Sequence, residues 1–252
     1  MSERPKALRL FIGVRVSLAT VRALDDAVQT MRRSSPGDRA PRWVSPASYH
    51  ITLKFLGWAR PEVGFALRDR IAGAIAGQRA FELETRGLGA FPTPERARVV
   101  WAGVDPAGGA RLTELAGRVE RAAEELGFAR EQRPFHAHVT LARLRDPADI
   151  RTLLGSCPEQ AFRVSWVDSA VLFESHMRST GSEYEEKARW PLEADSKPSR
   201  RHTGPVEPEA ELADDLPLDE GPSDSGEDPG TEGAPEGAGA EREEHEDDGD
   251  QY

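Results

Sequence analysis

The sequence predicts an α+β fold: two pseudo-symmetric lobes of mainly antiparallel sheet, helices on the outer faces, and a cleft between the lobes. Three observations predict it. Strand-like apolar runs and stretches of helical periodicity mingle along residues 1–194. Several neighbouring strands are joined by turns short enough to require antiparallel pairing. Finally, one pattern, His-x-Thr-Leu, occurs at His50 and again at His138, each copy preceded by a helix and a loop and followed by a helix. That is a weak internal duplication, and it suggests two similar lobes facing each other with one histidine from each.

The elements follow in order. Leu8–Val14 (LRLFIGV) reads as a strand. Ser17 is an N-cap, after which Leu18, Val21, Leu24, Val28 and Met31 form the apolar stripe of a helix. A loop (SSPGDRAPRW) leads to a strand at His50–Leu56, and Pro61 opens a second helix ending near Gly77. Phe81–Leu88 and Arg98–Val104 read as strands joined through FPTPER. A third helix spans about Ala110–Leu126, with Gly127 at its C′ position. Ala137–Leu144 is a strand, Pro147 starts a short fourth helix, and Ala161–Trp166, Ser169–Glu174 and Glu183–Trp190 complete the strands.

Composition divides the chain. Residues 195–252 carry 20 acidic against 4 basic residues, whereas 1–194 carry 24 against 29, so the overall charge of −11 belongs to the tail and the body is mildly basic. The tail is rich in Pro, Gly, Glu and Asp, and its few large apolar residues cannot offset the entropy of ordering. It is expected to be a disordered, solubilising extension; competition with a polyanion for a basic groove is the sharper alternative. The domain is therefore placed at 1–194. Cys157 is alone and reads as an ordinary loop thiol. No apolar run reaches the length of a membrane span and the N-terminus lacks a signal-peptide pattern, so a cytoplasmic monomer without a membrane partner is the expectation.

The repeated motif carries the chemistry. A strand alternates its side chains, so His50, Thr52 and Lys54 are expected on one face with Ile51, Leu53 and Phe55 on the other. In the second copy His136, His138 and Thr140 share one face, Val139 and Leu141 the other. The apolar faces can pack on helices; the polar faces need a wet cleft. Two imidazoles with pKa values near 6.5 can act as a base and an acid near neutrality, and each threonine hydroxyl can hold a phosphate oxygen. A single His-x-Thr-Leu is most often a structural histidine beside a β-branched neighbour; the duplication carries the case. A zinc site on His136 and His138 with Glu174 and His176 is the metal alternative, without compact ligand spacing behind it. Phe11, Tyr49 and Trp58 are candidates for base stacking or for the core, Trp190 for packing, and Arg15, Arg32, Arg33, Arg39 and Arg42 for an RNA path or scattered surface charge.

At LRLFIGV, RWVSPASYHITLKFLG, RARVVWAG, RPFHAHVTLARL and EYEEKARWPL the sequence resembles the two-histidine phosphoesterases, and within them the LigT-like RNA 2′,3′-cyclic phosphodiesterases, historically called 2′-5′ RNA ligases. The resemblance implies hydrolysis of RNA 2′,3′-cyclic phosphate ends to 2′-phosphates, with 2′-5′ ligation as the reverse reaction. It implies no cofactor and no catalytic metal. By analogy His50 donates a proton to the leaving ribose oxygen, His138 activates water, Thr52 and Thr140 hold phosphate oxygens, and Arg143 adds charge. The family pattern usually has proline before the second histidine; Ala137 stands there in this chain. Two alternatives remain: a phosphodiesterase acting on small cyclic nucleotides, and a non-catalytic binder of RNA ends.

Overall fold

The computed structural model describes residues 7–34, 41–157, 161–178 and 181–194. The acidic tail and Arg39 lie outside these. Nine strands and four helices follow in the order β1 (Leu8–Arg15), α1 (Leu18–Ser34), β2 (Arg42–Trp43), β3 (His50–Ala59), α2 (Val63–Ile75), β4 (Phe81–Phe91), β5 (Ala97–Val104), α3 (Pro106–Glu124), β6 (Val139–Ala148), α4 (Arg151–Gly155), β7 (Ala161–Val167), β8 (Ser169–Arg178) and β9 (Gly181–Pro191). Among the described residues no helix is long and apolar enough to cross a membrane.

Every predicted element forms, with shifted ends. The Ser17 cap is present: its hydroxyl accepts from the Thr20 amide at 3.1 Å, and the Thr20 hydroxyl lies 2.9 Å from that of Ser165 on β7, fastening the start of α1 to the sheet. Leu24, Val28 and Met31 are buried as the periodicity predicts, but Leu18, in the first turn, is 64% exposed. α3 starts four residues before the predicted Ala110, because Asp105 caps it: one carboxylate oxygen accepts from Gly108 N at 3.0 Å and the other from Glu84 N at 2.7 Å. The Asp-Pro-x-Gly-Gly run looks like a loop in sequence, and tertiary anchoring overrides it. Pro147 does not open the fourth helix; it lies in β6, and α4 is a single turn after it.

The strands form one sheet in the order β7-β4-β5-β6-β3-β1-β8-β9, with β2 paired to β6, and all of its strand pairs are antiparallel. The sheet is a curled half-barrel, and the seam between β6 and β3 divides its eight-strand path into two four-strand halves. Leu10, Ile12, Val14, Ile51, Leu53, Val139 and Leu141 point to one side and share a contiguous core with Leu24 and Met31 of α1, Leu67 and Ile71 of α2, and Leu112 and Leu115 of α3. Phe11, Val171 and Phe173 form a separate small cluster on the other side.

Both copies of the motif bulge at the same place. In β3 the register passes from Thr52 opposite Gly13 to Lys54 opposite Ile12, leaving Leu53 unpaired. In β6 it passes from Thr140 opposite Trp101 to Ala142 opposite Val100, leaving Leu141 unpaired. An extra residue reverses the alternation beyond it. The predicted faces therefore fail past the leucine. Lys54 is turned into the core, 5% exposed, and Phe55 is turned onto the histidine side, 57% exposed.

Candidate active site

The junction of the halves assembles the paired motifs. Ile51 pairs with Val139 across the β3–β6 seam, both fully buried. Antiparallel numbering then sets His50 opposite Thr140 and Thr52 opposite His138. Opposed residues share a face, so four of the five side chains predicted for the site, His50, Thr52, His138 and Thr140, stand together on the side away from the helices, each half-buried. A diagonal pair in this arrangement is separated by about 7–8 Å, the relation of the two histidines.

Each imidazole is oriented from behind in the same way. The Ser48 carbonyl lies 2.7 Å from His50 Nδ1, and the His136 carbonyl 2.7 Å from His138 Nδ1. A carbonyl only accepts, so each Nδ1 carries its proton and each neutral ring keeps a lone pair on Nε2. The Thr52 hydroxyl, 3.0 Å from His50 Nε2, donates to that lone pair. Burial pulls the His50 pKa down to about 4; the Ser48 carbonyl opposes this, while His138, Arg15 and Arg143 add to it. His138 is also lowered, first by burial, then by His136 and Arg143 against the His136 carbonyl. Both shifts favour the neutral rings, whereas the sequence reading pairs one neutral ring with one charged.

Aromatic rings wall in each histidine; of these the sequence reading singled out Phe11 alone, as a stacking or core residue, and missed the other four. Phe11, Tyr184 and Phe173 surround His50 at ring separations of 4.7, 5.0 and 5.8 Å. Phe91 and Trp101 flank His138 at 5.1 and 6.4 Å. Glycines make the room. A Cβ on Gly13 would lie 2.7 Å from the Ile51 carbonyl oxygen and 3.4 Å from His50 Cδ2, and one on Gly89 would fall 2.3 Å from the Trp101 ring. The alternation of β5 alone would have put Trp101 on the histidine side. The Trp101 indole N–H is buried without an acceptor among the described residues.

The remaining candidates separate. Arg143 sits on β6 opposite Arg42 of β2, and its charge reaches both histidines. Arg15 is paired with Glu186 at 3.2 Å over the Phe173 ring, and Arg32 lies over Trp43. Tyr49 is 5% exposed and belongs to the core, its phenol pushed up chiefly by burial, and Trp190 packs there too. Lys54 bonds Glu120 of α3 at 2.6 Å and the Ala129 carbonyl at 2.5 Å, tying β3 to the segment that leads into the second motif. The proposed zinc set is not brought together. The grouping of possible ligands among the described residues is Glu174, His176 and Glu185, without His136 or His138, and the Lys187 ammonium already sits 3.1 Å from both of its carboxylates. Cys157 is buried just after α4.

A family model described as the 2′-5′ RNA ligase superfamily matches residues 20–176. The chain is 41% identical over 111 residues to an RNA 2′,3′-cyclic phosphodiesterase of Aeropyrum pernix, covering 44% of this chain and 61% of that one. It is 35% identical over 156 residues to a protein of the same name from Geobacillus stearothermophilus, covering 60% of this chain and 47% of that one. It thus spans less than two thirds of either relative. Among solved structures, apo LigT of Escherichia coli aligns with a TM-score of 0.59 at 29% identity, over 74% of this chain and 98% of that one.

Proposed function

The chain belongs to the 2′-5′ RNA ligase superfamily, and on that premise we propose that it hydrolyses RNA 2′,3′-cyclic phosphodiester ends to 2′-phosphomonoesters by acid–base catalysis from His50 and His138. The observation that carries the reading is the shared face of His50, Thr52, His138 and Thr140, with both rings presenting Nε2. The names of the two relatives supply the substrate.

In the proposed step His138 Nε2 takes a proton from water as its oxygen attacks phosphorus. The P–O3′ bond breaks, and O3′ receives the proton held on His50 Nε2, leaving the phosphate on O2′. Thr52, Thr140 and Arg143 hold the non-bridging oxygens, where negative charge gathers. His50 must be charged to do this, although its burial favours the neutral form. The substrate supplies the difference. An anion about 4 Å from an imidazolium contributes about 4 kcal/mol at an effective dielectric of about 20. That raises its proton affinity by about 10³, enough to carry a pKa near 4 to about 7. Binding thus arms the acid. Run backwards, the same pair joins a cyclic end to a 5′-hydroxyl, the 2′-5′ ligase reaction. No metal has a part in the step.

The test is to incubate the protein, with chelator present, with an RNA ending in a 2′,3′-cyclic phosphate in ¹⁸O-water. The expected product is a 2′-phosphate carrying one ¹⁸O. A 3′-phosphate product, or turnover only after a metal is restored, refutes the mechanism. Binding without turnover at any pH leaves the RNA-end binder in its place.

A further inference from the structure

The bulge at Leu53 is followed by a second, at Leu56, where the register passes from Phe55 opposite Phe11 to Gly57 opposite Leu10. Together they give β3 one continuous row of side chains beside β1: His50 opposite Arg15, Thr52 opposite Gly13, Phe55 opposite Phe11, and Trp58 opposite Arg9. The row leads straight out of the catalytic quartet. Its far end is apolar yet open, Phe55 being 57% and Trp58 69% exposed. Leu53 and Leu56, the residues at the two bulges, are buried in the core. Successive positions are about 7 Å apart, twice the ~3.4 Å step of a stacked strand, so each ring has space for its own base.

We propose that Phe55 and Trp58 form a stacking track for the last bases of a single-stranded RNA whose terminal phosphate lies at the His50–Thr52 end of the same strand. The proposal rests on the function proposed above and narrows its substrate to oligonucleotides over mononucleotides. The chemistry of the strip selects the partner. It exposes aromatic faces and a guanidinium, the groups that stack on bases and meet phosphates, and it is continuous with the phosphate site. Arg9 stands across from Trp58, its guanidinium 3.4 Å from the Met177 sulfur. Phe55, nearer the quartet, takes the terminal base; Trp58, one position out, takes the base before it.

The experiment compares a nucleoside 2′,3′-cyclic phosphate with a hexanucleotide carrying the same end, using wild type, Trp58→Ala, Trp58→Phe and Phe65→Ala, whose target on α2 is 79% exposed and remote in sequence from the strip. Trp58→Ala is expected to lower kcat/KM for the hexanucleotide about 10-fold, through KM, and to leave the ratio to wild type near one for the mononucleotide. Trp58→Phe recovers most of the loss, and Phe65→Ala has no effect on either substrate. Affinity for a labelled hexanucleotide ending in a 2′-phosphate, read by anisotropy, tests the track without turnover, so a failed catalytic reading does not hide the answer. Equal losses on both lengths, or no loss of hexanucleotide affinity, overturns the proposal. A Trp58-dependent dimer in sedimentation, with RNA affinity unchanged, assigns the strip to a second copy of the chain and overturns it too.

Discussion

The two halves of the sheet are copies at their shared seam and diverge away from it. Each contributes a histidine held through Nδ1 by a carbonyl two residues back, a threonine two residues on, and a bulge at the next leucine. Beyond the bulge, equivalent positions differ. Phe55 in the first half answers to Arg143 in the second, and the buried Lys54 to the fully buried Ala142. Because β3 and β6 are antiparallel, the divergent ends extend in opposite directions from the quartet. One carries rings and the other carries Arg143 and Arg42. The halves share what the proposed step at phosphorus requires and differ where the rest of the proposed substrate would lie.

The largest test of this comparison removes its shared part. His50→Ala or His138→Ala is expected to lower kcat about 10²–10⁴-fold with the circular dichroism spectrum retained. The two should part on bis(4-nitrophenyl) phosphate, whose leaving group needs no proton: activity returns for the variant lacking the acid, His50, and not for the one lacking the base. Recovery in the opposite variant would exchange the roles.

Lys54 tests a difference. Lys54→Met strands Glu120 in a largely buried position and releases Ala129, with an expected loss of about 3 kcal/mol in urea unfolding. Ala142, its counterpart, has no such partner to lose. A loss under about 1 kcal/mol would show that the tie between β3 and the second motif is unimportant to stability.

His50 also gives the fold a pH response. A folded pKa near 4 against about 6.5 unfolded means that the unfolded chain binds the extra proton first as pH falls. The stability due to neutral His50 is complete above about pH 6.5, declines through the interval, and is exhausted near 4. Between pH 7.5 and 5 the loss should be about 2 kcal/mol, and His50→Gln should remove most of it. In kinetics, the alkaline limb of kcat should lie at higher pH than that of kcat/KM, since bound phosphate raises the His50 pKa. Coincident limbs would mean that the anion is not beside the ring.

The smallest effects belong to the hydroxyls. Thr52→Val and Thr140→Val should each reduce kcat/KM about 10-fold, the scale of one hydrogen bond to a charged group. Thr52→Val should cost somewhat less, because it also removes a donor that favours the neutral form of His50, the form that cannot act as the acid.

The sequence by itself determined the two His–Thr pairs, which the β3–β6 seam joins. Two His-x-Thr units at strand spacing, each backed by apolar neighbours, are enough to put histidine and threonine on one face, because alternation is a local property of an extended chain. It likewise determined the helical stripes and the Ser17 cap. Only the tertiary structure decided what happens past each leucine. A bulge is a mismatch between a strand and its partner, and β1 and β5 lie far from β3 and β6 in sequence, so no local pattern announces that Phe55 faces out or that Lys54 goes in. The charge state of the histidines was hidden for the same reason: desolvation depends on Phe11, Phe173, Tyr184, Phe91 and Trp101, which reach the two rings from strands of both halves.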